Sequence, residues 1–146
     1  MEVPTAHPIH ENFRVLTFRQ TLAARGTCRR SQLEVLGELM LQSHASYSNC
    51  GLGSQGTDRL VDLVMEEKDR AVEMGMEPAL FGAKITGGGC GGTVCVIGKA
   101  DDEGEAAIQR VVQRYAEETG HVAQVFAGSS GGVVKFGVLR LSRQTI

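Results

Sequence analysis

The chain has no tryptophan, two tyrosines, five phenylalanines and three prolines in 146 residues. So sparse an aromatic set lacks the stacking platforms of a single-strand nucleic-acid binder. An excess of one charge is missing too: 15 Lys and Arg against 17 Asp and Glu leave a net charge of -2, which excludes binding driven by phosphate neutralisation. No run approaches the roughly 20 apolar residues of a membrane span. The N-terminal MEVPTAHPIHEN lacks the apolar middle of a secretory signal, so a cytoplasmic protein without membrane contact is expected. The four cysteines, Cys28, Cys50, Cys90 and Cys95, are spaced C-x21-C-x39-C-x4-C. That spacing matches no zinc or redox motif, and free thiols and no metal site are expected.

What is present is enough for one core, with 42% hydrophobic residues in a length typical of a single domain. Residues 1–146 therefore read as one domain. Glycine is abundant, 19 residues, and five of them fall between Gly87 and Gly92.

After a lead containing Pro4, His7, Pro8 and His10, the spacing of Phe13, Leu16, Phe18 and Leu22 predicts a helix over 12–24. Ser31 and Glu34 have capping-box spacing, and Leu33, Leu36, Leu39 and Met40 recur at three and four, predicting a second helix over 32–47. The stretch from Ser48 to Gly56 is a loop, because its glycines oppose a helix. Thr57 or Ser54 then caps a third helix with Leu60, Val61, Val64 and Met65 on its apolar face, ended by Gly75 and Pro78. Short apolar runs, Leu80–Thr86 and Thr93–Gly98, predict strands on either side of the glycine loop. A fourth helix, capped at Asp102 and Glu105, carries Ile108, Val111, Val112 and Tyr115 as core and stops at Gly120. His121–Ala127 and Gly137–Leu141 read as two further strands around the small-residue loop Gly128–Gly132. The expected fold is α+β: a four-stranded, mainly antiparallel sheet with split β-α-β, ferredoxin-like character, packed against helices.

Gly87, Gly89 and Gly92 satisfy G-x-G-x-x-G, but a strand-like Thr93–Ile97 follows where a dinucleotide site needs a helix. No Walker sequence is present. Glycines between two strands do permit positive φ and close approach of another segment or a phosphate to the peptide N–H groups. A flexible hairpin is the plainer reading of the same residues, although two or three glycines suffice for one.

The string GAKITGGGCGGTVCVI from Gly82 resembles the third glycine motif of the GHMP small-molecule kinases. The likeness continues in the galactokinase-like Glu11-Asn12-Phe13-Arg14-Val15 and Leu36-Gly37-Glu38-Leu39-Met40 with Ser43-His44-Ala45-Ser46, in Gly128-Ser129-Ser130 and Lys135-Phe136-Gly137, and in Cys50 to Val61, whose form is closer to L-arabinokinase-like proteins than to galactokinase proper. It spans residues 9–141. The resemblance implies the C-terminal domain of a sugar kinase that uses ATP and Mg2+ to phosphorylate the anomeric hydroxyl of a monosaccharide. It also implies a partner, the N-terminal ATP-binding domain with the family's P-x-x-x-G-L-S-S-S-A loop and its acceptor-activating acid, neither of which appears in these 146 residues. No catalytic residue is therefore assigned here, and this part alone is expected to be inactive.

By the same resemblance the phosphate or ATP loop comprises Lys84, Thr86, Gly87, Gly88, Gly89, Cys90, Gly91 and Gly92. Each has a plainer reading: Lys84 and Thr86 share one face of a strand that could simply be exposed, and Cys90 is a small side chain in a tight turn with no base at a recognisable spacing. Gly51, Gly53, Ser54 and Asp58 form a secondary candidate, a glycine turn before a helix N-terminus, where anions are favoured. Asp58 is equally explained by the helix dipole. His44 and Tyr47, at i and i+3, read as a satisfied half-buried pair. A non-catalytic module binding a small molecule or a partner chain is the reading of a different class.

Overall fold

A computed structural model describes residues 2–24 and 29–128, with 131, 135 and 137 beyond them. The order is α1 (Glu2–Ala23), α2 (Arg29–Asn49), α3 (Gln55–Glu73), β1 (Leu80–Ile85), β2 (Val94–Gly98) and α4 (Asp102–Thr119). Strands β1 and β2 pair antiparallel, with Ala83 opposite Val96 and Ile85 opposite Val94. The register slips between Leu80 and Gly82. That leaves the Phe81 carbonyl to accept from Lys68 Nζ at 3.4 Å.

The core lies where α3 and α4 meet β1. Val61, Leu63, Val64, Ala79, Leu80, Ala83, Ala107 and Val111 form one buried cluster, with Leu60, Ile108 and Tyr115 packed on its margin. On α4 the buried centre is thus Gly104, Ala107 and Val111, one residue round from the stripe read in the sequence, because small residues let the helix sit closest. Helix α2 crosses β1 on small residues as well. A Cβ on Gly37 would collide with the Phe81 carbonyl, and one on Gly82 with the Gly37 backbone, so both glycines are required by close approach.

The helix ends show why their boundaries fall where they do. Ser54 caps α3 by accepting from Thr57 N, and Thr57 returns the bond to the Ser54 backbone. Asp101, rather than Asp102, caps α4, because its carboxylate accepts from Gly104 N at 2.9 Å. Gly120 closes α4 in the left-handed conformation at φ 74. Ser31 is not a cap. Helix α2 begins at Arg29, so Glu34 instead pairs with Arg30 one turn away at 3.0 Å.

Two expectations need correction. Helix α1 starts at Glu2, ten residues before the predicted start, and runs through Pro8. Pro4 lies in the first turn, where N–H groups have no intrahelical acceptor, whereas Pro8 is inside the helix and forgoes one backbone bond; His7 anchors this stretch by its 2.7 Å bond to Ser46 on α2. The four-stranded sheet is not observed: among the described residues the sheet has two strands, and 121–127 are irregular. Val122 and Phe126 there are 82% and 79% exposed. An alternating sequence becomes a strand only when an edge accepts its backbone bonds, and His121 N–H is instead bonded to Thr119 Oγ1. Residues 138–141 of the last expected strand, and most of the Gly128–Gly132 loop, lie outside the described residues.

Candidate functional site

An α-helix places residues i, i+3 and i+4 on one face. In the last turns of α2 that face carries His44, Tyr47 and Ser48, all partly buried. Against it lie two backbone turns: Leu52–Ser54, between α2 and α3, and the loop Thr86–Thr93, between β1 and β2.

The longer loop is closed at its base by Thr86 N–H donating to the Thr93 carbonyl at 3.1 Å. Within it Gly87, Gly89 and Gly92 have φ of 73, 82 and 74, and Cys90 has φ 49. Four left-handed residues in six turn the chain tightly enough to bring its middle onto the shorter turn. Cys90 N–H donates to the Leu52 carbonyl at 2.7 Å, and the Cys90 thiol points at the Leu52 and Gly53 carbonyls at 3.3 and 3.5 Å. A Cβ on Gly89 would stand 2.6 Å from Leu52. Glycine is needed there by sterics as well as by φ. Gly87, Gly88 and Gly92, by contrast, look onto open space, with nothing within 4 Å of a Cβ position. The loop is therefore pinned through its middle and open on its outer rim, a shape that admits close approach of an anion or another chain segment to peptide N–H groups.

Three side chains of α2 hold this arrangement. Tyr47 Oη donates to the Gly87 carbonyl at 3.4 Å. His44 accepts the Ile85 N–H on Nδ1 at 3.3 Å and places Nε2 3.2 Å from Asp58 Oδ1. Ser48 Oγ donates to the same carboxylate oxygen at 3.3 Å. The two candidate sets read from the sequence, 84–92 and 51–58, are thereby one assembly.

Individual candidates take distinct places in it. Thr86 is exposed at the loop entrance. Lys84 turns from the loop toward α1: its ammonium is 3.4 Å from Glu11 Oε1 and 5.2 Å from the Tyr47 ring centre. Ser54 spends its hydroxyl on the α3 cap, 2.9 Å from Thr57 Oγ1. Asp58, in the first turn of α3 where a negative charge is favoured, anchors His44. Cys50, Cys90 and Cys95 are free thiols, and among the described residues the Cys90 sulfur contacts the Leu52 and Gly53 carbonyls and no base. Sequence reading alone missed Leu52, Glu11 and Ser48. Leu52 acts through its carbonyl, which leaves no mark in residue type, whereas Ser48 was foreshadowed by its spacing from His44.

Beside this assembly lies a polar contact between α1 and α2. Glu11 accepts from Ser43 Oγ, from Arg14 Nε at 2.9 Å and from Lys84 at 3.4 Å. Burial pushes its carboxyl pKa up, but the Ser43 and Arg14 hydrogen bonds and the Lys84 charge outweigh that and hold it below the ordinary value. His7 stacks edge-on to Tyr47, with ring centres 4.9 Å apart. A groove of about 340 Å3 continues past Glu11 and Arg14 between Val15, Phe18, Met40 and Val96.

The architecture is α+β, with a glycine loop pinned between two antiparallel strands. Residues 24–117 match the family described as GHMP kinases C terminal, and the chain belongs to that family. It is 48% identical over 146 residues to an L-arabinokinase of Arabidopsis thaliana, covering 99% of this chain and 14% of that protein. It is 32% identical to a galactokinase of Chloroflexus aurantiacus over 130 residues, 88% of this chain and 29% of the relative. A galactokinase of Chloroflexus aggregans is 28% identical over the same shares. The chain thus spans less than a third of the length of these relatives. No solved structure matches. No helix among the described residues is long and apolar enough to cross a membrane.

Proposed function

We propose that this domain is the C-terminal part of a cytoplasmic, ATP-dependent monosaccharide-1-kinase of the L-arabinokinase or galactokinase type, which transfers the γ-phosphate of ATP to the anomeric hydroxyl of a sugar. The observation that carries the reading is the pinned loop: Cys90 N–H on the Leu52 carbonyl at 2.7 Å holds Gly87–Gly92 with its rim outward. Identity of 48% along 99% of the chain to an L-arabinokinase supports it.

Phosphoryl transfer asks a protein mainly to position groups and stabilise charge. A rigid rim of peptide N–H groups contributes to that without reorganising, either against the nucleotide phosphates or against the phosphate-bearing loop of the rest of the enzyme. Mg2+, when bound with ATP, neutralises phosphate charge. Among the described residues no three His, Cys, Asp or Glu side chains gather as a metal site, so its ligands are assigned to the nucleotide and to the remainder of the protein. The acid acting on the sugar hydroxyl is assigned there too, which makes the 146 residues inactive by themselves.

The test joins this chain to the N-terminal part of an L-arabinokinase and measures ATP consumption with L-arabinose and with galactose. Turnover that depends on either sugar is the expected result. A folded fusion that consumes no ATP with either would overturn the kinase reading in favour of a non-catalytic binding module.

A further inference from the structure

His44, on α2, contacts β1 through Ile85 and α3 through Asp58 beside the glycine loop, and its chemistry is fixed by its neighbours. A peptide N–H can only donate, so the 3.3 Å contact from Ile85 makes Nδ1 the acceptor. The ring proton of the neutral imidazole then sits on Nε2, 3.2 Å from Asp58 Oδ1. Both nitrogens are committed. With its side chain 12% exposed, His44 in this arrangement has no free lone pair to offer a substrate hydroxyl.

Its position gives it a different task. Ile85 is the last residue of β1, and its N–H turns away from β2 toward α2. Two residues later the chain enters the left-handed turn at Gly87. Asp58, the other end of the contact, lies in the first turn of α3, just beyond the Leu52–Ser54 turn on which Cys90 is seated. The imidazole therefore spans the two backbone segments whose separation decides whether Cys90 N–H reaches Leu52. Ser48 braces the carboxylate from the same helix at 3.3 Å, and Gly53 leaves room for it, since a Cβ there would lie 2.7 Å from Ser48 Oγ.

We propose that His44 and Asp58 are positioning residues that set the register of the glycine loop on the Leu52 turn. The consequence for catalysis rests on the kinase reading; the consequence for the loop does not.

Two amide variants separate the halves of the contact, because an asparagine amide falls near the Nδ1 position and a glutamine amide near Nε2. His44→Asn keeps an acceptor for Ile85 N–H and releases Asp58, while His44→Gln keeps a donor to Asp58 and releases Ile85. Amide hydrogen exchange is followed in the 146-residue chain, and the KM for ATP in the fusion described above. His44→Gln is expected to speed exchange at Ile85 and Cys90 by about tenfold, the scale of one lost hydrogen bond. His44→Asn is expected to restore the Ile85 amide to within about threefold on the same scale. In the fusion His44→Gln raises the KM for ATP several-fold with a smaller change in kcat. Exchange at both amides unchanged in His44→Gln would overturn the proposal, as would an equal rise throughout α3 and α4, the mark of a merely structural role. A wild-type fusion without activity would count against the kinase reading, and the exchange comparison would still decide this one.

Discussion

The two halves of the domain are held together in opposite ways. Helices α3 and α4 face β1 with Val61, Leu63, Val64, Ala107 and Val111 and keep most of their charges outside, Glu67 being buried with Arg70 and Arg110 bonded to it. On the outside Arg59 bridges Glu66 and Glu118, and Arg114 binds Glu66. The hydrogen bonds to Glu118 and Glu66 raise the Arg59 pKa, and that from Arg59 lowers both carboxylates. Helix α1 inverts this pattern. It turns His7, Glu11 and Arg14 toward α2 and β1, and leaves Ile9, Phe13 and Leu16, at i, i+4 and i+7, 71%, 69% and 46% exposed. Burial of apolar area stabilises the first half by about 25 cal/mol per Å2. The second half depends on hydrogen bonds of about 1 kcal/mol net each, whose value lies mainly in the cost of leaving a partner unsatisfied. The first half specifies the fold; the second specifies a geometry, because each polar contact works at one distance and angle.

Substitutions in the two halves should therefore differ in size and in kind. The largest effect is expected from Leu63→Ala: its side chain is fully buried, and a loss of about 2–5 kcal/mol in denaturant unfolding follows from the cavity. Glu11→Gln should cost less, about 1–2 kcal/mol, because Arg14 and Lys84 stay partly hydrated. This variant also carries a sign. The folded-state pKa of Glu11 lies below its unfolded value, so the ionised form contributes stability that is fully present above the ordinary carboxylate range and is lost as pH falls through the lowered value. Wild type and Glu11→Gln should differ at neutral pH and converge in acid; a difference independent of pH would remove the ion-pair account. Phe13→Ser, on the outward apolar face, should change stability by less than about 0.5 kcal/mol. Its effect should appear in sedimentation as reduced self-association, since exposed apolar stripes drive association.

The same contrast explains what the sequence makes legible. Helices α3 and α4 were readable because burial writes itself as a stripe at three and four; of their caps, Ser54 was one of two residues read for α3, and the α4 cap was read one residue late, at Asp102 instead of Asp101. Strands β1 and β2 were readable as apolar runs around glycines. The first ten residues of α1 were not, because Pro4 and Pro8 argue against a helix and the face that packs is polar. Nor does alternation alone make 121–127 a strand. At the site, Gly87–Gly92 was visible as a loop open to close approach. Its seat was hidden, because Leu52 receives Cys90 through a carbonyl and His44 receives Ile85 through a peptide N–H, and backbone groups are the same whatever the residue.

The most direct test of the pinned loop compares two alanines in the fusion enzyme. Gly89 has φ +82 and Leu52 2.6 Å from its Cβ position, whereas Gly91 has only the Gly89 carbonyl oxygen at 3.6 Å, so one alanine must unseat the loop and the other fits. Gly89→Ala is expected to lower kcat/KM for ATP by about tenfold or more, and Gly91→Ala to leave it within about threefold, a difference of about 1 kcal/mol. Equal effects of the two would contradict the claim that the loop works by being seated on Leu52.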